Sequence, residues 1–171
     1  YYLMLDKIVP LKIQYFLELI RFSKPIGFML LMWPCWFALT LISKSPMELI
    51  RWYFFFFIGA FLMRSAGCII NDLVDIKIDK IISSTVNRPL TSNKISKNEA
   101  LIFLFILFIL SFLILLQFNI YTILVGISSL PFVILYPFMK RYTHWPQLIL
   151  GIIFSWGIII VSFQFLNNFN I

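Results

Sequence analysis

The sequence predicts an all-α polytopic membrane protein. Hydrophobic residues make up 61% of the chain and charged residues only 12%, whereas a soluble domain carries about 25% charge. The apolar residues also form long continuous runs rather than amphipathic stripes, which is typical of helices that face lipid. We therefore expect a single membrane domain that covers residues 1–171.

The expected elements follow from these runs. Residues 11–25, LKIQYFLELIRFSKP, mix charge and bulk, which suits an amphipathic helix lying in the membrane interface. Five runs follow that are each long enough to cross a bilayer, which takes about 17 to 25 helical residues. Because the turn between the third run and the fourth, around residues 117–119, is very short, we expect a tight antiparallel hairpin there. The approximate limits of the five spans are 25–42, 52–70, 100–118, 120–139 and 148–165.

The basic residues set the expected orientation. Four Lys and Arg precede the first span, five lie between the second and third spans, and two lie between the fourth and fifth. Only Lys44 and Arg51 lie on the opposite side. Because Lys and Arg accumulate in cytoplasmic loops, we expect the N-terminus in the cytoplasm. The net charge of +7 then reflects topology and attraction to anionic membrane lipid, and no nucleic-acid partner is indicated.

A row of polar residues follows the second span. Asn71, Asp75 and Asp79 are spaced i, i+4, i+8, which places them within about 80° of arc on one helical face. Asp72 lies only about 20° beyond that arc, and Arg64 lies on the same stripe roughly 10 Å deeper. Hard oxygen ligands of this kind suit Mg²⁺, which is usually held by one or two carboxylates plus substrate phosphates.

A simpler interpretation of this row stays open. Acidic residues in a cytoplasmic loop often only solvate it, and Lys77 and Lys80 could pair with them. Arg64 could likewise extend towards the lipid headgroups. An arginine in a span nevertheless costs about 2.5 to 3.5 kcal/mol on insertion scales, and it is a functional candidate by default.

A second polar cluster follows the fourth span, in YPFMKRYTHWPQLILG at residues 136–151. Lys140 and Arg141 are expected on the same side of the membrane as the acidic row, so the two loops could face each other. A Lys and an Arg opposite a carboxylate-bound Mg²⁺ would form a diphosphate clamp. The positive-inside bias alone would also place basic residues here. His144 is expected to have a packing or hydrogen-bonding role.

Four segments of the chain resemble the UbiA family of intramembrane aromatic prenyltransferases. INDLVDIKIDKIISSTVNRPL and YPFMKRYTHWPQLILG are similar to the two cytoplasmic signature regions of that family. LIRFSKPIGFMLLMWPCWFAL and FLMRSAGCIIND resemble its first and second spans. The NxxxDxxxD pattern of the family is matched by Asn71, Asp75 and Asp79, with the additional acid of bacterial members at Asp72. The likeness runs from about residue 17 to residue 163.

The resemblance implies an activity, a site and a location. The activity is transfer of a polyprenyl group from polyprenyl diphosphate to the ring of 4-hydroxybenzoate in ubiquinone biosynthesis, in the bacterial cell inner membrane. Asp75, Asp79 and Arg141 are the implied catalytic residues. The implied magnesium ligands are Asn71, Asp72, Asp75 and Asp79. The implied diphosphate contacts are Arg21, Arg64, Lys140 and Arg141.

The sequence also departs from the family pattern. Family members have nine transmembrane helices and a second aspartate motif after the sixth, whereas this sequence has no Asp after Asp79. The resemblance therefore implies the N-terminal part of such an enzyme, with little activity of residues 1–171 alone. A separate chain that supplies the remaining half is left open as a partner. Thr91 and Asn93 replace the proline and glycine of the family's NRPLPSG, which is expected to alter the turn there.

Two other functions stay open. Haem O synthases and the menaquinone-pathway and homogentisate prenyltransferases share the same aspartate logic, so another acceptor is one alternative. The other is a non-catalytic membrane protein or the remnant of a decayed gene. That alternative predicts that the acidic row is dispensable and binds no magnesium diphosphate.

Overall fold

The computed structural model describes residues 10–42, 46–142 and 145–166, without the side chains of residues 140–142 and 166. These residues form seven α-helices and no strand, which confirms the all-α prediction. The helices are α1 (Leu11–Leu19), α2 (Ile26–Ile42), α3 (Pro46–Asp79), α4 (Lys97–Leu115), α5 (Ile120–Ser128), α6 (Leu130–Tyr142) and α7 (Pro146–Leu166).

Most of these helices are suited to a membrane. Among the described residues, four stretches are long and apolar enough to cross a bilayer, and α2 is a shorter apolar helix of 17 residues. Each of the five overlaps one predicted span, which agrees with a multi-pass membrane protein. The four long stretches are Pro46–Asp79, Lys97–Leu115, Ile120–Met139 and Pro146–Phe165.

Helix α3 is much longer than its predicted span of residues 52–70. It runs without interruption for 34 residues, which corresponds to about 51 Å at 1.5 Å per residue. The hydrocarbon core of a bilayer is only about 30 Å thick. Part of α3 therefore projects beyond the apolar layer, and its final turns carry the row from Asn71 to Asp79. We call this end of the bundle the aspartate end.

The fourth predicted span is divided into two helices. Helix α5 ends at Ser128 and α6 begins at Leu130. Pro131 has no N–H group with which to continue the hydrogen-bond ladder, which weakens the helix at this point. The hydroxyls of Ser128 and Ser129 donate to the carbonyls of Val125 and Gly126 at 2.7 and 2.6 Å, which satisfies the carbonyls that the break leaves exposed.

The expected hairpin between the third and fourth spans is only partly correct. The turn at residues 116–119 is as short as predicted, but α4 packs chiefly against α3 and α5 packs chiefly against α7. Asn119 explains the second contact. Its side chain accepts from the backbone N–H of Thr122 and donates to the carbonyls of Phe163 and Gln164. This side chain therefore both caps α5 and ties it to α7.

The short helix α1 lies across the aspartate end. Leu19 is fully buried, and the ring of Phe16 packs edge-on against Phe103 with centroids 5.0 Å apart. Lys12 forms an ion pair with Glu99, which belongs to the N-terminal capping box of α4. Helix α1 is shorter than the predicted segment because the chain leaves it at Ile20. It thus positions the residue that follows, Arg21, beside the C-terminal part of α3.

Candidate active site

The carboxylates of α3 are buried at the aspartate end. Asp72, Asp75 and Asp79 are only 3%, 5% and 5% exposed, whereas Lys77 on the same helix and Lys80 just after its end are exposed. A solvated loop would show the opposite pattern, so the simpler interpretation of the acidic row does not fit. Because an uncompensated buried carboxylate costs several kcal/mol, the row needs positive partners or hydrogen-bond donors.

Two arginines from outside α3 supply that compensation. Arg21 Nη2 donates to Asp72 Oδ1 at 2.9 Å. Arg88 Nη1 donates to the same oxygen at 3.1 Å and to Asp79 Oδ2 at 2.7 Å. The side chain of Asn71 also hydrogen-bonds to Asp72. Asp72 thus has two cationic partners and Asp79 has Arg88, while neither Lys77 nor Lys80 takes part in an ion pair of the described residues.

Arg88 is the residue that the sequence analysis missed. It was counted only among the basic residues of the loop, although it lies in the NRPL segment of the family signature. The segment of residues 80–96 folds back over α3 because Leu90 and Ile95 are buried in the core at 3% and 1% exposure. The hydroxyl of Thr85 donates to the carbonyl of Asp79 at 3.0 Å. This return path, which no sequence periodicity reveals, brings Arg88 to the aspartates.

Arg21 reaches Asp72 from an unusual backbone conformation. Its φ angle is 57°, in the left-handed region that glycine adopts freely and that costs other residues roughly 1 to 2 kcal/mol. Non-glycine residues are held in such conformations where the surrounding structure requires them, often at functional sites. The ion pair with Asp72 is the interaction that this position secures. The sequence assigned Arg21 to the diphosphate, and the structure shows it on a carboxylate.

Arg64 lies deeper along α3, seven residues before Asn71. It is half-buried, and its guanidinium forms no hydrogen bond or ion pair with another described residue. It packs against Gly27 of α2, where a Cβ atom would lie only 2.5 to 2.9 Å from three atoms of the guanidinium group. The glycine therefore makes room for the arginine. An unpaired cation in a membrane helix indicates a place for an anionic ligand.

A cavity of about 780 Å³ adjoins Arg64. Its polar lining at one end includes Arg21, Arg64 and Asn71, and its wall further along α3 includes Phe55 and Phe56. Asn71 and Phe55 are separated by about 24 Å along the helix axis. An elongated cavity with cations at one end suits an amphiphile that has an anionic head and a long apolar tail. Further apolar lining comes from Phe108, Phe112, Leu115, Phe118 and Ile160.

The donors of α3 have the right chemistry for magnesium. Carboxylate and amide oxygens are its usual protein ligands. Within the described parts of the chain, however, no three acidic side chains converge on one point. This does not conflict with the donor set, because Mg²⁺ is typically held by one or two carboxylates and completed by substrate phosphates and water. Arg21 and Arg88 occupy oxygens of Asp72 and Asp79 in this structure.

The second polar cluster is described only in part. The backbones of Lys140 and Arg141 lie in the last turns of α6, which packs against α3. Their side chains, and the whole of His144, lie outside the described residues. Tyr136, one turn earlier on α6, lines the cavity together with Arg64. The clamp that these cations would form therefore stays a prediction.

The departures in the NRPLTSN segment are accommodated. Asn93 has a φ angle of 57°, again in the left-handed region, and asparagine is among the few residues that tolerate this region well. It therefore keeps a backbone conformation that the family's glycine would also permit. Thr91 is buried at 6% exposure. The expectation that these two residues alter the turn stays a prediction.

The fold and the site define a class of protein: a multi-pass helical membrane protein whose helices line an apolar cavity with cations and buried carboxylates at one end. The model of the UbiA prenyltransferase family matches residues 31–169. The chain therefore belongs to the UbiA prenyltransferase family, which confirms the resemblance seen in its motifs.

Relatives within the family are substantially similar. The 4-hydroxybenzoate octaprenyltransferase of Marinomonas sp. (strain MWYL1) is 48% identical over 149 residues, which cover 86% of this chain and 51% of the relative. That of Pseudoalteromonas translucida (strain TAC 125) is 42% identical over 154 residues, covering 90% and 52%. The mitochondrial 4-hydroxybenzoate polyprenyltransferase of Dictyostelium discoideum is 45% identical, covering 86% and 32%.

A solved structure also matches this fold. It is described as that of digeranylgeranylglyceryl phosphate synthase in membranes, with a TM-score of 0.72 and 28% identity. The match covers 90% of this chain and 53% of the solved chain. The chain thus spans about half the length of the bacterial relatives and of this structure.

Proposed function

We propose that this protein transfers a polyprenyl group from a polyprenyl diphosphate to the ring of 4-hydroxybenzoate, as a step of ubiquinone biosynthesis. The names and the 42% to 48% identity of the bacterial relatives support this assignment. The observation that carries it is the position of the buried aspartates, which end the same helix that lines an apolar cavity of about 780 Å³. The aspartates match a diphosphate head, and the apolar cavity matches an isoprenoid tail.

The proposed mechanism centres on departure of the diphosphate. Asn71, Asp75 and Asp79, helped by Asp72, would hold Mg²⁺, which when bound neutralises charge on the phosphate oxygens. Arg64, at the cavity wall, would meet oxygens of the same head group. Cleavage of the allylic C–O bond leaves a carbocation, and the apolar wall excludes the water that would quench it. The phenol ring attacks ortho to its hydroxyl, and loss of the ring proton restores aromaticity.

The remaining cations belong to the same proposal. Lys140 and Arg141 would complete the diphosphate site from the end of α6, with Arg141 the implied catalytic residue of the pair. Arg21 would join Lys140 and Arg141 at the diphosphate site once Asp72, its carboxylate partner, has other ligands. The proposed setting is the bacterial inner membrane with the aspartate end in the cytoplasm, which the distribution of Lys and Arg supports.

The test is prenyl transfer in membranes that contain a form of this protein as long as its bacterial relatives, of which residues 1–171 match about half. We expect Asp75→Asn and Asp79→Asn to lower the rate by about 100-fold or more, because charge stabilisation of a leaving group is typically worth that much. Glu48→Gln is the matched control, since Glu48 is an exposed carboxylate near the opposite end of α3. Undiminished transfer in the Asp75 variant would contradict the proposal.

Two further experiments test the acceptor and the length of the chain. Transfer to 4-hydroxybenzoate is compared with transfer to homogentisate, and preference for homogentisate would replace the proposed acceptor. We expect residues 1–171 expressed alone to show little turnover, because the bacterial relatives are about twice as long. Rapid turnover by this segment would overturn that expectation.

A further inference from the structure

Arg88 occupies the carboxylate oxygens that the proposed function gives to magnesium. Its Nη1 lies 2.7 Å from Asp79 Oδ2 and 3.1 Å from Asp72 Oδ1. Both carboxylates are nearly fully buried, while the side chain of Arg88 is 29% exposed. A guanidinium so close to Asp79 would lie within a few ångströms of any cation on the same carboxylate, and two cations at that separation repel strongly at a poorly solvated site.

The two aspartates do not depend equally on Arg88. Asp72 has a second cationic partner, because Arg21 Nη2 donates to it at 2.9 Å. Among the ion pairs of the described residues, Asp79 has Arg88 alone. Withdrawal of Arg88 therefore leaves Asp72 compensated and makes Asp79 the carboxylate that is available to a metal ion.

We propose that Arg88 is a positioning residue that holds Asp79 in the magnesium-free protein and exchanges with the metal when magnesium binds. The inference rests on the proposed function, and it deepens that function by naming what keeps the site intact before substrate arrives. Arg21 stays on Asp72 during this exchange and leaves it only when other ligands reach Asp72. The released guanidinium of Arg88 is then free to meet the oxygens of the diphosphate that accompanies the metal.

The fold allows this exchange without unfolding the loop. The segment that carries Arg88 is anchored on both sides, by the hydrogen bond from Thr85 to the carbonyl of Asp79 and by the burial of Leu90 and Ile95. The backbone of Arg88 is held further by two donors of Ser92, whose N–H and hydroxyl lie 2.9 and 2.8 Å from its carbonyl. Motion is thereby confined to the long side chain, which already borders solvent.

The experiment measures binding of Mn²⁺ alone to the full chain in lipid nanodiscs by electron paramagnetic resonance. Removing a competing cation should strengthen binding, so we expect Arg88→Gln to lower the Kd for Mn²⁺ about tenfold, the size of one charge-assisted hydrogen bond. Lys80→Gln is the matched control, since it removes an exposed charge beside the row without touching an aspartate. We expect its Kd to change by less than about twofold, as for a solvent-screened charge.

The outcomes separate this inference from the proposed function. If Arg88 only anchors the loop, removing it disorders the row of aspartates and does not strengthen Mn²⁺ binding. An unchanged or higher Kd for Mn²⁺ in an Arg88→Gln variant of native helicity therefore overturns the exchange. If the wild type binds Mn²⁺ and Asp79→Asn abolishes that binding, the proposed function still stands. Failure of the wild type to bind Mn²⁺, or indifference to Asp79→Asn, overturns the exchange, whereas the proposed function is decided by the transfer assay of Asp75→Asn and Asp79→Asn. Should Arg88→Gln not fold, Arg88→Met replaces it, since it also removes the charge and keeps a long side chain; tighter binding is expected, and unchanged binding contradicts the exchange.

Discussion

At the scale of single residues, the site is built on charge compensation. Three buried carboxylates lie within eight residues of one helix, and two arginines from separate segments lie against them. Removing one partner of a buried pair is more damaging than the net strength of the pair suggests, because the other charge stays buried without compensation. Arg21 is a clear case, since its backbone is strained in order to place its side chain.

The strain at Arg21 makes the first prediction. Arg21→Gly and Arg21→Ala both remove the ion pair with Asp72, but only glycine adopts a φ angle of 57° without cost. We therefore expect the glycine variant to be more stable than the alanine variant by about 1 kcal/mol. Thermal denaturation in the same detergent provides the comparison, with the wild type above both. Equal stability of the two variants would show that the left-handed backbone carries no strain.

The contacts of Arg21 and Arg88 mark the limit of prediction from sequence. Helical periodicity placed Asn71, Asp75 and Asp79 on one stripe because they share a single helix. No periodicity applies to the segment of residues 80–96, so the return of Arg88 to the carboxylates could not be predicted. The nearest available signal was its place in the NRPL motif.

At the scale of elements, the helices were predictable because length and apolarity decide which segments cross a bilayer. The division at Ser129 was missed, although Pro131 offered a local reason for it. The partners of each helix were not predictable. A short turn suggested that α4 and α5 pair, but Asn119 ties α5 to α7 through two carbonyls. Packing of membrane helices depends on small residues and buried polar contacts, which hydropathy does not reveal.

Close packing of α2 against α7 makes the second prediction. A Cβ atom on Gly157 would come closer than 3.0 Å to the sulfur of Cys35, which is buried at 4% exposure. We expect Gly157→Ala to destabilise the protein by about 1 to 3 kcal/mol, as overpacking in a close-packed core does. Unfolding in detergent as sodium dodecyl sulfate is added gives the measurement.

The control for this change lies on the same helix. A Cβ atom on Gly151 would meet no atom within 4 Å, so Gly151→Ala is expected to leave stability unchanged or to raise it by up to about 1 kcal/mol through helix propensity. Equal effects of the two substitutions would mean that α2 and α7 do not approach each other as closely as the structure shows.

At the scale of the whole molecule, one long helix connects the two parts of the site. Helix α3 carries the aspartates at one end and lines the cavity with Arg64 and Phe56 further along. Family membership was predictable because the motifs lie in sequence order and cover most of the chain. The cavity was not predictable, because the Phe-rich spans are equally compatible with rings that face lipid. Its position requires knowing which helix faces converge, and that is set by tertiary packing alone.

The orientation of the molecule makes the last prediction. Polyprenyl transfer as proposed requires the aspartate end to face the cytoplasm, and the basic loops predict the same orientation. Ser92, in the segment that carries Arg88, and Gln117, in the turn between α4 and α5, are both exposed, while Cys35 and Cys68 are buried. A membrane-impermeant maleimide should therefore label Gln117→Cys in spheroplasts that have lost the outer membrane, and label Ser92→Cys only after the inner membrane is opened. The wild type, with its two buried cysteines, gives the background. Labelling of Ser92→Cys in sealed spheroplasts would place the aspartates on the outer face and contradict both the orientation and the proposed reaction.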